Sequence, residues 1–144
     1  MVNVSTANMD DIEFVAMMER DTFSDSMSEN TLISSLDSDL FLVLKDSDAI
    51  CGYFLGHCLL DEMEIYRIAV SPDKRRCGYG KMLLNEAMHR ATSQGVKQCF
   101  LEVRESNTAA KKFYGSLGFE EIDRRRRFYR MPDEDAIVMR VRWE

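Results

Sequence analysis

Apolar and polar residues along this chain recur in two different periods, and each change of period marks an element boundary. Residues 2 to 6, Val-Asn-Val-Ser-Thr, alternate weakly and predict a short first strand, with Asn8 as the N-cap of a helix. Phe14, Met17 and Met18 recur at helical spacing there, and the pattern fades by Phe23. After a polar stretch, Ser28 is a second N-cap candidate, ahead of Leu32, Ile33 and Leu36 on one helical face. The methionines read as core filler or as flexible lining of a substrate groove.

The period then becomes that of strands. Leu40 to Lys45 and Ala49 to Leu60 flank Asp46-Ser47-Asp48, whose short polar side chains favour a hairpin turn. Gly52 and Gly56 inside the second strand predict a bulge or a close backbone approach. Met63 to Val70 reads as a further strand, ended by Ser71-Pro72-Asp73 because proline cannot continue the ladder. A helix opening near Gly80 follows, with Leu83, Leu84, Ala87, Met88 and Ala91 on one face and Gly95 as its closing residue. Val96 to Arg104 is then a strand lying parallel to Met63–Val70, because strand, crossover helix and strand form a right-handed unit. Asn107 opens a short helix carrying Ala110, Phe113, Tyr114 and Leu117, which Gly118 ends; two last strands cover 119 to 128 and 135 to 143. The pattern predicts an α/β or α+β domain with a mixed sheet, spanning residues 1–144 without repeat or linker.

Composition narrows the chemistry. A chain of 144 residues with 45% hydrophobic content can build one real core. There is neither a basic start with an apolar run behind it nor a window approaching the ~18 apolar residues of a membrane span, so a cytoplasmic location and no membrane partner are expected. Cysteines 51, 58, 77 and 99 form no Cys-x-x-Cys pair and, with two scattered histidines, no metal-ligand spacing; free thiols and no metal are expected. The net charge of -6 argues against nucleic-acid binding over a basic surface. The run Arg124 to Arg127 then reads as a solvated strand edge or hairpin in preference to an RNA contact.

Two stretches carry chemistry. Arg75-Arg76-Cys77-Gly78-Tyr79-Gly80 lies between a strand and a helix start, where glycines expose backbone N–H groups and the helix dipole and two arginines add positive charge. Such a turn suits phosphate, although a short Gly-x-Gly turn also ends strands for steric reasons alone. It has neither the third glycine of a dinucleotide fold nor a Gly-Lys-Ser ending. The second stretch is Glu102, a carboxylate inside the apolar strand Phe100-Leu101-Glu102-Val103, costly there if unpaired. It is a reactive group, an exposed position or a structural ion pair. Asn107 and Tyr114 lie seven residues apart, on one face of the following helix; alternatively Asn107 is an N-cap and Tyr114 a core-edge aromatic.

Arg75-x-x-Gly78-x-Gly80 resembles the acyl-CoA pyrophosphate loop of the GNAT N-acetyltransferases, and the order of elements is similar from end to end. Ile68-Ala69-Val70-Ser71-Pro72-Asp73, Leu101 to Asn107, Phe113 to Phe119 and the ending Tyr129 to Met139 are similar to the RimI group of that family, bacterial ribosomal-protein alanine N-acetyltransferases. The resemblance implies a mostly antiparallel twisted sheet whose central parallel pair splays around acetyl-CoA, flanked by about four helices. It implies that Ile68, Ala69 and Val70 meet the acetyl-pantetheine arm, with the Val70 N–H polarising the thioester carbonyl. Arg75 belongs to the loop motif, and Arg76, Cys77, Gly78, Tyr79, Gly80 and Lys81 would wrap the pyrophosphate. Asn107 would hold the pantetheine end, Glu102 would be the general base and Tyr114 the general acid.

The residue types suit that chemistry on their own. An α-amine with a pKa of about 8 needs a carboxylate to take its proton before attack, and a thiolate leaving group can be protonated by a phenol. Acyl transfer of this kind needs no metal. The expected reaction is acetylation of a protein N-terminus, by resemblance the N-terminal alanine of a small-subunit ribosomal protein. The alternatives are a lysine side chain or small amine as acceptor, and a silent acyl-CoA-sensing module. Where RimI-like chains carry Pro-Trp, this one has Phe23-Ser24-Asp25-Ser26-Met27-Ser28, and Arg127-Phe128-Tyr129-Arg130 replaces Asn-Tyr-Tyr. Both departures fall on the acceptor side; Phe128 and Tyr129 either cover a peptide or cap the sheet.

Overall fold

The computed structural model describes residues 1–143. Its elements run β1 (Val2–Thr6), α1 (Ile12–Thr22), α2 (Glu29–Ser38), β2 (Leu40–Asp46), β3 (Ala49–Leu59), β4 (Glu62–Val70), α3 (Tyr79–Ser93), β5 (Gln98–Arg104), α4 (Thr108–Ser116), β6 (Glu120–Tyr129) and β7 (Glu134–Arg142), with short 3₁₀ turns at Met9–Asp11 and Pro72–Lys74. The expected caps are in place. Asn8 Oδ1 accepts from the Asp10 N–H while Asp11 answers to the Asn8 N–H, a reciprocal box that starts the turn leading into α1. Ser28 Oγ accepts from Thr31 N at the start of α2. Gly95 and Gly118, at φ 92° and 93°, follow α3 and α4 in the left-handed region where glycine carries no steric penalty. Ser47 and Asp48, also at positive φ, make the two-residue hairpin between β2 and β3.

Among the described residues seven strands form one sheet in the order β1-β2-β3-β4-β5-β7-β6. Only β4 and β5 are parallel among the described residues, as the crossover through α3 requires. Their pairing covers Glu62↔Gln98 to Ile65↔Leu101 and then stops, so the sheet opens into a wedge at its middle. Two apolar layers hold the wedge rigid. Leu83, Leu84, Ala87 and Ala91 of α3 pack on one face against Leu42, Phe54, Met63 and Leu101. Val15, Ala16 and Leu32 of α1 and α2 pack on the other against Phe41, Val43, Tyr53 and Leu55.

The two strand glycines have the predicted uses. A Cβ on Gly52 would stand 2.7 Å from the Ala69 carbonyl oxygen, so glycine lets β3 approach β4 closely. Gly56 sits where the β3–β4 register shifts: Leu55 faces Arg67 and Gly56 faces Ile65, leaving Tyr66 as an extra residue in β4. That bulge reverses which side chains face which layer. Ile65 points to the α3 side, whereas Arg67 and Ala69 point towards α1 and α2.

Candidate active site

The phosphate turn is built by backbone conformation. Arg76 and Gly78 take positive φ of 66° and 81°, and Gly78 is the N-cap of α3 with no side chain bonded to the helix start. The Met82 N–H already donates to the Gly78 carbonyl, which leaves the first-turn donors at Tyr79, Gly80 and Lys81 facing outward. A Cβ on Gly78 would meet nothing within 4 Å, and one on Gly80 would reach the Phe113 ring at 3.3 Å. Between this turn and Phe113 lies a hollow of about 340 Å³, walled by Lys74, Arg75, Arg76 and Lys81. A cradle of free N–H groups at the head of a helix, ringed by four cations, has the donor set and the room for a diphosphate.

From there three further hollows follow in series, each sharing walls with the one before. The second, about 400 Å³, shares Val70, Arg75, Gly80 and Phe113 with the first and adds Ile68, Ala69, Asn107 and Tyr114. The third, about 140 Å³, shares Phe23, Ile68, Asn107, Ala110 and Tyr114 with the second and adds Glu102 and Tyr129. The fourth, about 300 Å³, shares Asp25, Arg67, Glu102 and Tyr129 with the third and opens past Glu64 and Phe128. The wedge between β4 and β5 is therefore a passage from the phosphate turn to Glu102.

The backbone of β4 lines that passage. Ser71 N donates to the Cys51 carbonyl at 2.7 Å, which makes Ser71 and Cys51 a hydrogen-bonded pair of the antiparallel ladder. Hydrogen-bonded and open pairs alternate, so at Val70↔Gly52 and Ile68↔Phe54 the amide groups point away from β3 into the wedge. The Val70 carbonyl accepts there from Arg75 Nε at 3.3 Å, which ties the loop's first arginine to the strand.

Glu102 is neither exposed nor solitary. Its side chain is 13% exposed, and its Oε1 lies 3.2 Å from Arg125 Nε, reaching across β7 from edge strand β6. Glu64 faces the same hollow; burial first and the neighbouring Glu102 second push its carboxyl above the usual range. Tyr114 is buried edge-on between Phe113 and Phe119, and burial raises its phenol so that it holds its proton at neutral pH. Asn107 does cap α4, its Oδ1 accepting from Ala110 N at 3.0 Å, while it also lines the second and third hollows. Tyr129 carries the Arg104 guanidinium 4.5 Å from its ring centroid, and burial with nearby Glu102 pushes its phenol up to about 12. The more exposed Phe128 stands edge-on to it, and both rings line the fourth hollow.

The predicted site residues thus line one passage, except Cys77, which is exposed in the turn and lines none of the four hollows. Sequence reading passed over Glu19, Arg67, Glu64 and the Arg125 contact. Glu19 carried a signal: it continues the spacing of Ile12, Val15 and Ala16 on the buried face of α1, where a carboxylate demands a partner. The four cysteines are free, and no grouping of three metal-ligating side chains occurs among the described residues. None of the described helices is long and apolar enough to cross a membrane.

Comparison with known proteins agrees with this geometry. The model of the acetyltransferase (GNAT) family matches residues 8–119. The ribosomal protein bS18-alanine N-acetyltransferase of Escherichia coli K12 is 34% identical over 142 residues, 96% of either chain. The protein of the same name from Haemophilus ducreyi is 36% identical over 116 residues, covering 78% of this chain and 80% of its own. The crystal structure of the Escherichia coli enzyme superposes with a TM-score of 0.90 at 33% identity, covering 99% of this chain and 94% of the other. Ard1 from Thermoplasma volcanium reaches a TM-score of 0.93 at 21% identity, covering 99% and 98%, a likeness of fold.

Proposed function

Because the chain belongs to the GNAT acetyltransferase family, we propose that it moves an acetyl group from acetyl-CoA to the free α-amine of a protein N-terminus, with the N-terminal alanine of ribosomal protein bS18 as the acceptor. The observation that supports this is the passage from the phosphate turn to Glu102, which gives a donor and an acceptor separate entrances and a shared middle. Relatives at 34% and 36% identity carry that acceptor in their names. We place the protein in the cytoplasm, as a single domain.

Each group has a task. The diphosphate rests on the N–H groups of Tyr79, Gly80 and Lys81, with Arg75, Arg76 and Cys77 closing the turn and Gly78 giving it its left-handed corner. The pantetheine arm runs along Ile68, Ala69 and Val70, beside Asn107. The Val70 N–H, free of β3, polarises the thioester carbonyl, an arrangement worth several kcal/mol when the donor is fixed beforehand. Glu102 takes a proton from the incoming ammonium, directly or through a water, and the amine lone pair attacks the carbonyl carbon. As the C–S bond breaks, Tyr114 gives its proton to the departing sulfur, and the extra proton on the former amine nitrogen passes through water to the phenolate, which leaves a neutral amide and a neutral thiol. Burial weakens this phenol as an acid and, by the same desolvation of an anion, strengthens the departing thiolate as a base, so the two shifts oppose each other in the transfer.

Release of CoA thiol with a short peptide beginning in free alanine, beside the same peptide N-acetylated, tests the reading. Thiol release from the free peptide alone is the expected result. Equal release from a blocked, lysine-containing peptide would assign the acceptor to side-chain amines instead.

A further inference from the structure

Glu19 is fully buried, yet it belongs to neither catalytic role, and two of its three partners, Arg67 and the Met27 N–H, lead to the acceptor side of the passage. Its Oε1 accepts from Tyr53 OH at 2.6 Å and from Arg67 Nε at 3.0 Å, and its Oε2 accepts from the Met27 N–H at 2.8 Å. Arg67 continues the chain of contacts: Nη2 donates to the Asp25 carbonyl at 3.0 Å, and the guanidinium lies 4.2 Å from the Phe23 ring centroid. One carboxylate and one guanidinium thus hold Phe23, Asp25 and Met27, the loop between α1 and α2 that walls the third and fourth hollows. Arg67 reaches that loop because the Tyr66 bulge turns it away from the α3 layer. It is also the residue before Ile68-Ala69-Val70.

We propose that Arg67, held by buried Glu19, is a positioning residue for the acceptor: it locks the Phe23–Met27 wall to the strand that presents the acetyl group, so that the peptide is seated in register with the thioester. Phe23 and Met27 of this loop pack in part against the α1 and α2 side of the core, whereas Ser24, Asp25 and Ser26 between them are exposed and have little packing to fix them. A guanidinium with its Nε on a buried carboxylate and its Nη2 on a loop carbonyl supplies what packing does not. Arg67 side-chain exposure is only 14%, so water does not screen the pair as it screens surface pairs. The inference rests on the acetyl-transfer reading for its kinetic part, and on the fold alone for its structural part.

The test has two readouts. Amide hydrogen exchange at Met27, whose N–H is held by Glu19, is slow in the wild type and at least tenfold faster in Arg67→Met. This readout is independent of catalysis. In steady-state kinetics Arg67→Met raises the peptide KM at least tenfold while the acetyl-CoA KM changes less than twofold. Because Arg67→Met strands a buried carboxylate, the double variant Glu19→Gln/Arg67→Met serves as its folded counterpart and shows the same KM split. Arg67→Lys, which can reach Glu19 or the Asp25 carbonyl but not both, falls in between. Tyr53→Phe removes a Glu19 contact without touching the wall, so it lowers the melting temperature and leaves the peptide KM unchanged. The proposal is overturned if Met27 exchange does not change, or if Tyr53→Phe raises the peptide KM as much as Arg67→Met. Failure of wild type to acetylate any amine, with fast Met27 exchange in Arg67→Met, would sink the functional reading and leave the lock standing.

Discussion

Arg125 Nε stands 3.2 Å from Glu102 Oε1, so the carboxylate that we assign to deprotonating the acceptor is shared in advance with a cation from the sheet edge. An incoming ammonium competes with that guanidinium. The Arg125 side chain is 54% exposed, which limits the pair to about 1 kcal/mol or less, roughly a fivefold effect. Arg125→Gln is therefore expected to lower the peptide KM by up to about fivefold without changing the KM for acetyl-CoA. A higher peptide KM would mean that Arg125 binds the acceptor itself.

The roles of Glu102 and Tyr114 separate chemistry from binding. Glu102→Gln and Tyr114→Phe keep shape while removing the proton acceptor and the proton donor. General acid–base contributions of about 10²- to 10⁴-fold set the expected loss in kcat, with the Kd for acetyl-CoA within about twofold of wild type. Tyr114→Phe retains the edge-on packing against Phe113 and Phe119, so its melting temperature should hold. Calorimetric titration beside initial rates checks both. Undiminished kcat in either variant would remove that residue's assignment.

Two glycines with open space around them should respond in opposite directions to alanine. Gly78 sits at φ +81° with nothing within 4 Å of a Cβ, so Gly78→Ala meets only the left-handed penalty of about 1–2 kcal/mol. If the turn escapes that penalty by relaxing, acetyl-CoA affinity falls instead of stability. Gly115 also has open space, but it lies inside α4, where alanine gains up to about 1 kcal/mol over glycine. Denaturant unfolding with and without acetyl-CoA distinguishes the two effects.

Alkali provides a test of the core. Cys99 is fully buried, and burial raises its thiol well above the usual range. Its proton therefore stays on in the folded state after an unfolded thiol, with a pKa of about 8.5, has begun to lose its own. That contribution is complete below the unfolded pKa and is lost as pH climbs from there towards the folded value. Cys99→Ala should lower stability at pH 7 through the cavity it leaves, yet flatten the decline above pH ~9 by up to about 1.4 kcal/mol per pH unit. An unchanged slope in chemical unfolding would show that another group carries the alkaline limb.

Much of the fold was legible because local rules agree with the tertiary result. Asn8, Ser28, Gly95 and Gly118 end or begin their elements by backbone chemistry that a few neighbouring residues determine. The backbone form of the turn before α3 was legible for the same reason, since its glycines and arginines are contiguous. What the residues alone did not disclose depends on strand order and on bulges. Glu102 meets Arg125 because β7 inserts between β5 and β6, and no local signal fixes that order. Arg67 reaches Glu19, 48 positions away in sequence, because one extra residue in β4 reverses the face that follows it. A period-2 reading of the strand puts Arg67 on the same side as Ile65.

The most direct measurement is the position of the acetyl group on one peptide that offers both amines, an N-terminal alanine and an internal lysine, after limited turnover with acetyl-CoA. Fragment masses then assign the modification. The account predicts acetyl on the alanine nitrogen alone, abolished in step with kcat by Glu102→Gln. Acetyl on the lysine at a comparable rate would contradict it, and would show that the passage beyond Glu102 selects for an extended amine and not for a chain terminus.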